Sequence, residues 1–386
     1  MKESVSKDPQ GLVTGKVCFI VLGFAVFFLG NGFNGLATDD DKKAVIKELN
    51  ERQQTEIERF VSSAPERANL PMMPIAAELY NEAVSYFQHH DYELAKKSLK
   101  ESMRYDKRNP LAYELLGEIE YLKNRLKGAK RYYRQAYLIH PTKSVKEKIE
   151  KINKEVPLDV RFSTMSTKNF ILKYQGEKKL GNAQGILDLL EQNYEMQTKD
   201  FGYHFKQPVI VLLYDTDEFQ KITKSPFWVS GIYDGKIRLP VYEPAFGDAA
   251  LNGIIAHEMA HVFVSVMSQN KAPSWIHEGL AIYEENKVSK KDLTLFETAV
   301  ETNSLLPLEQ ILHESKPTDQ DPLYANLFYE ESFCFVEFLI KRFGMFKVEQ
   351  LLSRYGKGGE SSEAMDQVFG KSIMELEKEW RSTVIK

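Results

Sequence analysis

The stretch from Ala249 to Met267 joins two features that constrain each other: a helical run of apolar side chains and three ionisable groups set inside it. Leu251, Ile254, Ile255, Met259, Val262, Phe263, Val266 and Met267 recur at helical spacing, which predicts a largely buried helix. Within that run stand His257, Glu258 and His261. Histidines four residues apart share one face of a helix. That spacing lets two imidazoles grip one zinc ion while Glu258 reaches a water activated by the metal. The bland alternative is two surface histidines beside a salt-bridging glutamate. It would leave charged groups inside an apolar helix, which is costly unless they are paired or metal-bound.

A catalytic zinc needs a third protein ligand and one open position. The chain has only two cysteines, Cys18 in an apolar N-terminal run and Cys334 between two phenylalanines, so the ligands must be histidines and carboxylates. Glu278 follows His261 in a second expected helix that Pro273-Ser274 would start, with Ser274 as its N-cap. Trp275, Leu280, Ala281 and Ile282 could pack this helix on the first, and Gly279 and Ala281 are small enough for close approach. An acid in the first turn of a helix is also favoured by the helix dipole alone. His277 competes for the ligand position, and adjacent helical residues point about 100° apart, so only one of the two faces the metal. Glu278 is the preferred ligand.

Length and composition set the frame. A chain of 386 residues accommodates two or three domains, and its net charge of −4 argues against nucleic acid as a partner. Between about Ile75 and Lys143 an internal period of 34 residues pairs Ala83 with Gly117, Tyr92 with Leu126, Ala95 with Ala129, Leu99 with Tyr133 and Ser102 with Ala136. Small and large positions alternate as in helix–turn–helix units, and the pattern resembles the tetratricopeptide repeat, with Pro141 closing the second unit. Flanking helices over 40–62 and Ser144–Lys154 would cap so short an array. Residues 91–155 hold 17 Lys/Arg against 10 Asp/Glu, a local excess of 17 − 10 = 7 positive charges. This is a solvated outer face or a docking surface for an acidic protein or anionic lipid.

Beyond Val156-Pro157 the periodicity stops. Asn169–Tyr174 alternates as a strand, Leu180–Phe201 reads as a helix ended by Gly202, and Pro208–Tyr214 is a buried strand. Val229–Val241 reads as a hairpin turning at Asp234-Gly235, with Pro240 moving its second strand towards a sheet edge. Such an edge could hold an extended peptide by main-chain hydrogen bonds. From Pro322 onward the chain reads as mainly helical. The expected fold is α+β: a leader over 1–37, a helical tetratricopeptide-like repeat domain over 38–155, and over 156–386 a domain with a small sheet and a mainly helical C-terminal part.

His257, Glu258, His261, Trp275, Glu278, Gly279 and Ala281 together resemble the gluzincin metallopeptidases, in particular peptidase MA-like families with a W-x-x-E-G-x-A helix after HExxH. The likeness spans much of residues 160–386, including Gly231-Ile232-Tyr233. It implies one zinc held by His257, His261 and Glu278, with Glu258 as general base and a peptide or protein as substrate. Tyr329 resembles the tyrosine that opens a downstream helix in these families and would stabilise the oxyanion; Tyr324 competes with it. Many gluzincins carry an acid four residues after the glutamate ligand that orients a histidine. This chain has Ile282 there, so another group must serve.

The apolar run Val17–Gly30, preceded by Lys16 and followed by Gly35-Leu36-Ala37, reads as a signal peptide or an uncleaved membrane anchor. Either places the folded part outside the cytoplasm, with the repeat domain as a recognition arm for a protein partner. The alternative function is a catalytically inactive envelope scaffold, and the intact Glu258 speaks for the enzyme.

Overall fold

In the computed structural model, residues 24–27, 74–175, 180–224, 229–241, 248–313 and 322–385 are described. Five consecutive helices open the main body: α1 (Pro74–Gln88), α2 (Tyr92–Tyr105), α3 (Pro110–Leu122), α4 (Leu126–Ile139) and α5 (Lys143–Asp159). Helices α2 and α4 begin 34 residues apart (126 − 92), and Ala83, Ala95, Leu99, Ala129, Tyr133 and Ala136 are all buried between helices. Sequence chemistry sets the helix starts. The Asn109 side chain accepts from the N–H groups of Leu111 and Ala112 with Pro110 in the first turn, and Thr142 caps α5 through Val145. Helix α5 runs through Val156 to Asp159 with Pro157 in its last turn, so the helical region ends a few residues beyond the expected boundary.

A six-stranded mixed sheet follows, ordered β1-β5-β6-β4-β3-β2. Its strands are β1 (Phe24–Phe27), β2 (Phe162–Ser166), β3 (Phe170–Gln175), β4 (Val209–Asp215), β5 (Val229–Tyr233) and β6 (Ile237–Val241). β3, β4 and β6 run parallel, and the remaining pairs are antiparallel. The parallel step from β3 to β4 requires a crossover, which α6 (Leu180–Phe201) supplies. Gly202 ends α6 with φ of +57°, as a left-handed helix terminus requires. A short helix, α7 (Thr216–Thr223), follows β4; neither it nor β2 was expected from the sequence.

Two expectations need correction. Pro240 does not lie on an edge strand, because β6 sits between β5 and β4. The β5 ladder stops at Arg238, so Pro240 lies past it and its missing N–H leaves no β5 partner unsatisfied. The outer strand of the hairpin is β5. Within the apolar leader, Phe24–Phe27 pairs antiparallel with β5, while the rest of the leader, the expected helix over 40–62 and the linker after it lie outside the described residues.

The remaining helices are α8 (Asp248–Met267), α9 (Ser274–Val288), α10 (Thr294–Glu301), α11 (Leu308–His313), α12 (Pro322–Phe343), α13 (Met345–Gly356), α14 (Ser361–Phe369) and α15 (Ile373–Val384). Ile254, Ile255, Met259, Val262 and Phe263 of α8 join one core with β3, β4, α6, α9 and α12. Each such side chain contributes about 1.5–3 kcal/mol on leaving water. Length and apolar composition alone would let α8 cross a membrane, but it is the core helix of this domain.

Where the repeat helices meet the sheet, a cleft is lined by Phe87, His90, Tyr92, Leu122, Phe205 and Tyr233. His90 adopts a left-handed φ of 57°, and its Nδ1 lies 3.0 Å from the Tyr92 hydroxyl. Burial, then the charges of Lys206 and His89, push His90 down from 6.5 to about 4. The folded chain therefore favours neutral His90: its contribution is present above pH 6.5 and is lost as the pH falls through about 4. His90→Asn, which tolerates the left-handed backbone, is expected to flatten the fall in melting temperature between pH 6.5 and about 4. An unchanged acid slope contradicts this assignment.

Candidate metal centre

Helices α8 and α9 pack side by side, and each delivers charge to one buried point. His257, Glu258 and His261 come from α8, Glu278 from α9, and none is more than 2% exposed. Glu278 Oε2 lies 3.6 Å from His257 Nε2 and 3.8 Å from His261 Nε2. One ligand atom from each of these three residues falls within 4.8 Å of the others, a spread that suits a single ion. His277 is buried with its ring centroid 5.8 Å from that of His261, but it does not join the convergent set.

The donor chemistry fits a divalent cation. His257 Nε2, Glu278 Oε1 and both carboxylate oxygens of Glu258 are buried without a hydrogen-bond partner. Buried polar atoms ordinarily find partners, and these four, on residues of the cluster or next to it in α8, leave a demand that a cation would meet.

The group that orients the histidine is Glu285. Its Oε2 lies 3.0 Å from His257 Nδ1, and its Oε1 lies 3.1 Å from Lys291 Nζ. Burial alone would push the Glu285 carboxyl up, but His257 and Lys291 together hold it below its ordinary value. An ionised carboxylate only accepts hydrogen bonds, so Nδ1 carries a proton, which leaves Nε2 as the nitrogen that would ligate a metal. Glu285 lies seven residues after Glu278, one turn beyond Ile282, which stands at the four-residue step. Steps of four and seven residues return to nearly the same helix face, and that periodicity was the available signal.

Burial acts to lower the His257 imidazole, but Glu278 and then Glu285 outweigh it and hold it up at about 9. A divalent cation reverses that balance, because metal ligation takes the neutral ring. Glu258 is pushed well above the ordinary carboxylate range by burial, with His257 opposing and Glu278 and Glu285 adding to the rise.

Three neighbouring elements close the site. β5 passes directly over Glu258: a Cβ built on Gly231 would stand 2.7 Å from Glu258 Oε1, so any larger residue there would displace that carboxylate. On α8, a Cβ at Gly253 would stand 2.7 Å from Ser289 Cβ, which makes Gly253 a close-approach point of α8 with the end of α9. Gly279 serves a different contact from the one expected. Its Cβ would meet the Ser332 carbonyl oxygen and Val336 Cγ2 at 2.6 Å, so it lets α12 approach α9 and does not face α8. Trp275 is fully buried with its ring 5.6 Å from Phe335 of α12. Helix α9 is preceded by Pro273 at the capping position, with Ser274 already inside the first turn.

Both candidate tyrosines lie on α12. The Tyr329 hydroxyl is pushed well above its ordinary value by burial and then by the charge of Glu278, which places it in the field of the cluster. The Tyr324 hydroxyl accepts a hydrogen bond from Gln310 at 2.6 Å, towards α11.

Removing the orienting acid tests the arrangement. Glu285→Gln is expected to weaken metal affinity about 10–100-fold, read by competition with a chromogenic chelator, whereas Ile282→Ala leaves it within a factor of about 3. Equal affinities for wild type and Glu285→Gln contradict the orienting role.

No curated protein matches the chain. Residues 191–386, just over half of its 386 residues, match the Peptidase MA superfamily. That span runs from within α6 to the C-terminus and includes β4 to β6, the paired helices α8 and α9, and α12. The chain belongs to the Peptidase MA superfamily.

Proposed function

We propose that the chain is a zinc-dependent peptidase in which His257, His261 and Glu278 hold the metal and Glu258 is the general base. The convergence of the three ligand atoms within 4.8 Å, beside a buried carboxylate with two unpartnered oxygens, carries this reading. Bound there, zinc supplies Lewis acidity towards the attacking water and the scissile carbonyl. The chain's own groups do the rest. Glu258, whose carboxyl burial raises, accepts a proton from the attacking water and returns it to the leaving amine. Glu285 keeps His257 in the ligating tautomer. Tyr329 donates to the oxyanion, for which a neutral phenol is required, and its raised pKa keeps it protonated.

The outer edge of β5 is the supporting element for an extended peptide, since Gly231 brings that strand against Glu258. Phe24–Phe27 pairs along the same edge, so substrate binding there requires that segment to leave. Removal of an apolar leader on export would free it, and we place the mature domain outside the cytoplasm on that basis. The leader, if retained, would instead tether the protein to a membrane. The repeat-like region resembles a tetratricopeptide array. We assign to its outer helices α2 and α4, which carry exposed Lys97, Lys100, Lys127, Arg131 and Arg134, the recruitment of an acidic protein partner or substrate.

Glu258→Gln is expected to keep zinc and melting temperature while lowering peptide hydrolysis at least about 10²–10⁴-fold, measured on a peptide library with the zinc-loaded chain. Tyr329→Phe should lower kcat by about 10²-fold with little change in KM. Full activity in Glu258→Gln overturns the assignment of the base.

A further inference from the structure

The hairpin that presses Gly231 onto Glu258 is held at its turn by the repeat helices. The turn Asp234-Gly235-Lys236 enters between α3 and α5, where a Cβ built on Gly235 would stand 2.5 Å from Leu122 Cδ2. Arg238 of β6, 1% exposed, forks three ways: Nε to Asp234 Oδ2 at 2.9 Å, Nη1 to the Tyr214 hydroxyl at 2.7 Å, and Nη2 to Glu155 Oε1 at 3.0 Å. Its Nη2 also reaches the Tyr121 hydroxyl at 2.7 Å, and that hydroxyl donates to Glu155 at 2.7 Å. Lys236, fully buried, donates to Asn124 Oδ1 at 2.8 Å and lies 3.8 Å from the centre of the Tyr121 ring. Lys151 closes the set on Asp234 at 3.0 Å. Tyr121, Asn124, Lys151 and Glu155 all belong to the repeat region, while Asp234, Lys236 and Arg238 belong to the hairpin.

From this network the path to the site is short. Arg238 stands opposite Ile232 in the β5–β6 register, and Ile232 is the neighbour of Gly231. The adjoining Tyr233 lies in one buried core with Val262 and Phe263 of α8, the helix that carries His257, Glu258 and His261.

We propose that Glu155 and Arg238 are positioning residues for the hydrolytic site, through which the repeat helices fix the hairpin β5–β6 and so set the approach of Gly231 to Glu258. The ion pair is an unlikely choice for stability alone, because apolar side chains of similar volume stabilise such a position as well or better. What the forked guanidinium adds is direction, with each nitrogen fixing one partner. The hairpin turn thus occupies the place between α3 and α5, away from the exposed basic residues of α2 and α4. The inference rests on the peptidase reading for its effect on turnover, but not for its effect on the hairpin.

The test uses the full, zinc-loaded chain with three sequences: wild type, Glu155→Gln, and the apolar double substitution Glu155→Leu with Arg238→Met. The double variant removes both charges of the pair together, with Asp234 still held by Lys151 and Lys236 by the Asn124 side chain, so neither Glu155 nor Arg238 is left facing an absent partner. Hydrogen exchange of the 229–241 segment is measured beside kcat, KM, zinc content and melting temperature. The expected result for the double variant is retained zinc and melting temperature, exchange at least about tenfold faster in 229–241, and kcat reduced about 10–100-fold, as a displacement near 1 Å produces. Glu155→Gln should fall between it and wild type. Wild-type exchange rates in the double variant overturn the proposal, whatever the activity. Faster exchange with unchanged kcat overturns the link to the site. A wild-type chain that hydrolyses no peptide refutes the peptidase reading, and the exchange data then still decide whether the pair holds the hairpin.

Discussion

The structure depends on one unfavourable act of burial. Two imidazoles and two carboxylates from α8 and α9 are withdrawn from water into the most apolar part of the domain, and none is more than 2% exposed. An isolated buried charge carries a penalty of several kcal/mol even after the protein relaxes. The hydrogen bond from His257 to Glu285, relayed to Lys291, compensates one of these groups. It leaves Glu258 and part of Glu278 without partners. In the proposed function a cation held by His257, His261 and Glu278 would resolve the remainder, and Glu258 would then border a polarised site from which water is otherwise excluded.

Precision at this point is supplied by elements that carry no chemistry themselves. Gly231, Gly253 and Gly279 sit where β5 crosses Glu258, where α8 meets the end of α9, and where α9 meets α12. Around them, α6 ties to α8 through Gln197, whose side-chain amide donates to the Ala256 carbonyl at 2.7 Å. The repeat helices belong to the same scaffold, because their buried carboxylate Glu155 is a partner of Arg238 in the sheet. The two regions that the sequence divides by composition are thus joined by ionic hydrogen bonds in a place where water cannot screen them.

How much of this could be read beforehand follows from the range of each interaction. Local signals sufficed for α6, whose ends fall at Leu180 and Phe201 as periodicity and Gly202 indicate, and for the turn at Asp234-Gly235. The clustering of His257, His261 and Glu278 was legible because helical geometry converts spacing directly into direction, and the structure brings the three together as a group that could hold a metal. Glu285 was not legible because the family pattern sets its acid four residues after the glutamate, at Ile282, one turn short of Glu285 on α9. Pro240 was misplaced because its cost depends on where the neighbouring ladder ends, which is a property of pairing and not of the proline. Strand β2 was missed because its Phe-Ser-Thr-Met-Ser sequence is mostly exposed and gives little alternation. The buried Lys236 and Arg238 gave no sign in sequence, since Asn124 and Tyr121, two of their partners, are 112 and 117 residues away.

The central claim is that α8 and α9 form a metal site with Glu278 as its third ligand. Calorimetric titration of zinc into the metal-stripped full chain, its Glu278→Ala variant and its His277→Ala variant tests it most directly. The account predicts one tightly bound zinc per wild-type chain, retained in His277→Ala and lost in Glu278→Ala. A wild-type chain that binds no zinc, or one whose zinc survives Glu278→Ala and disappears in His277→Ala, would contradict it.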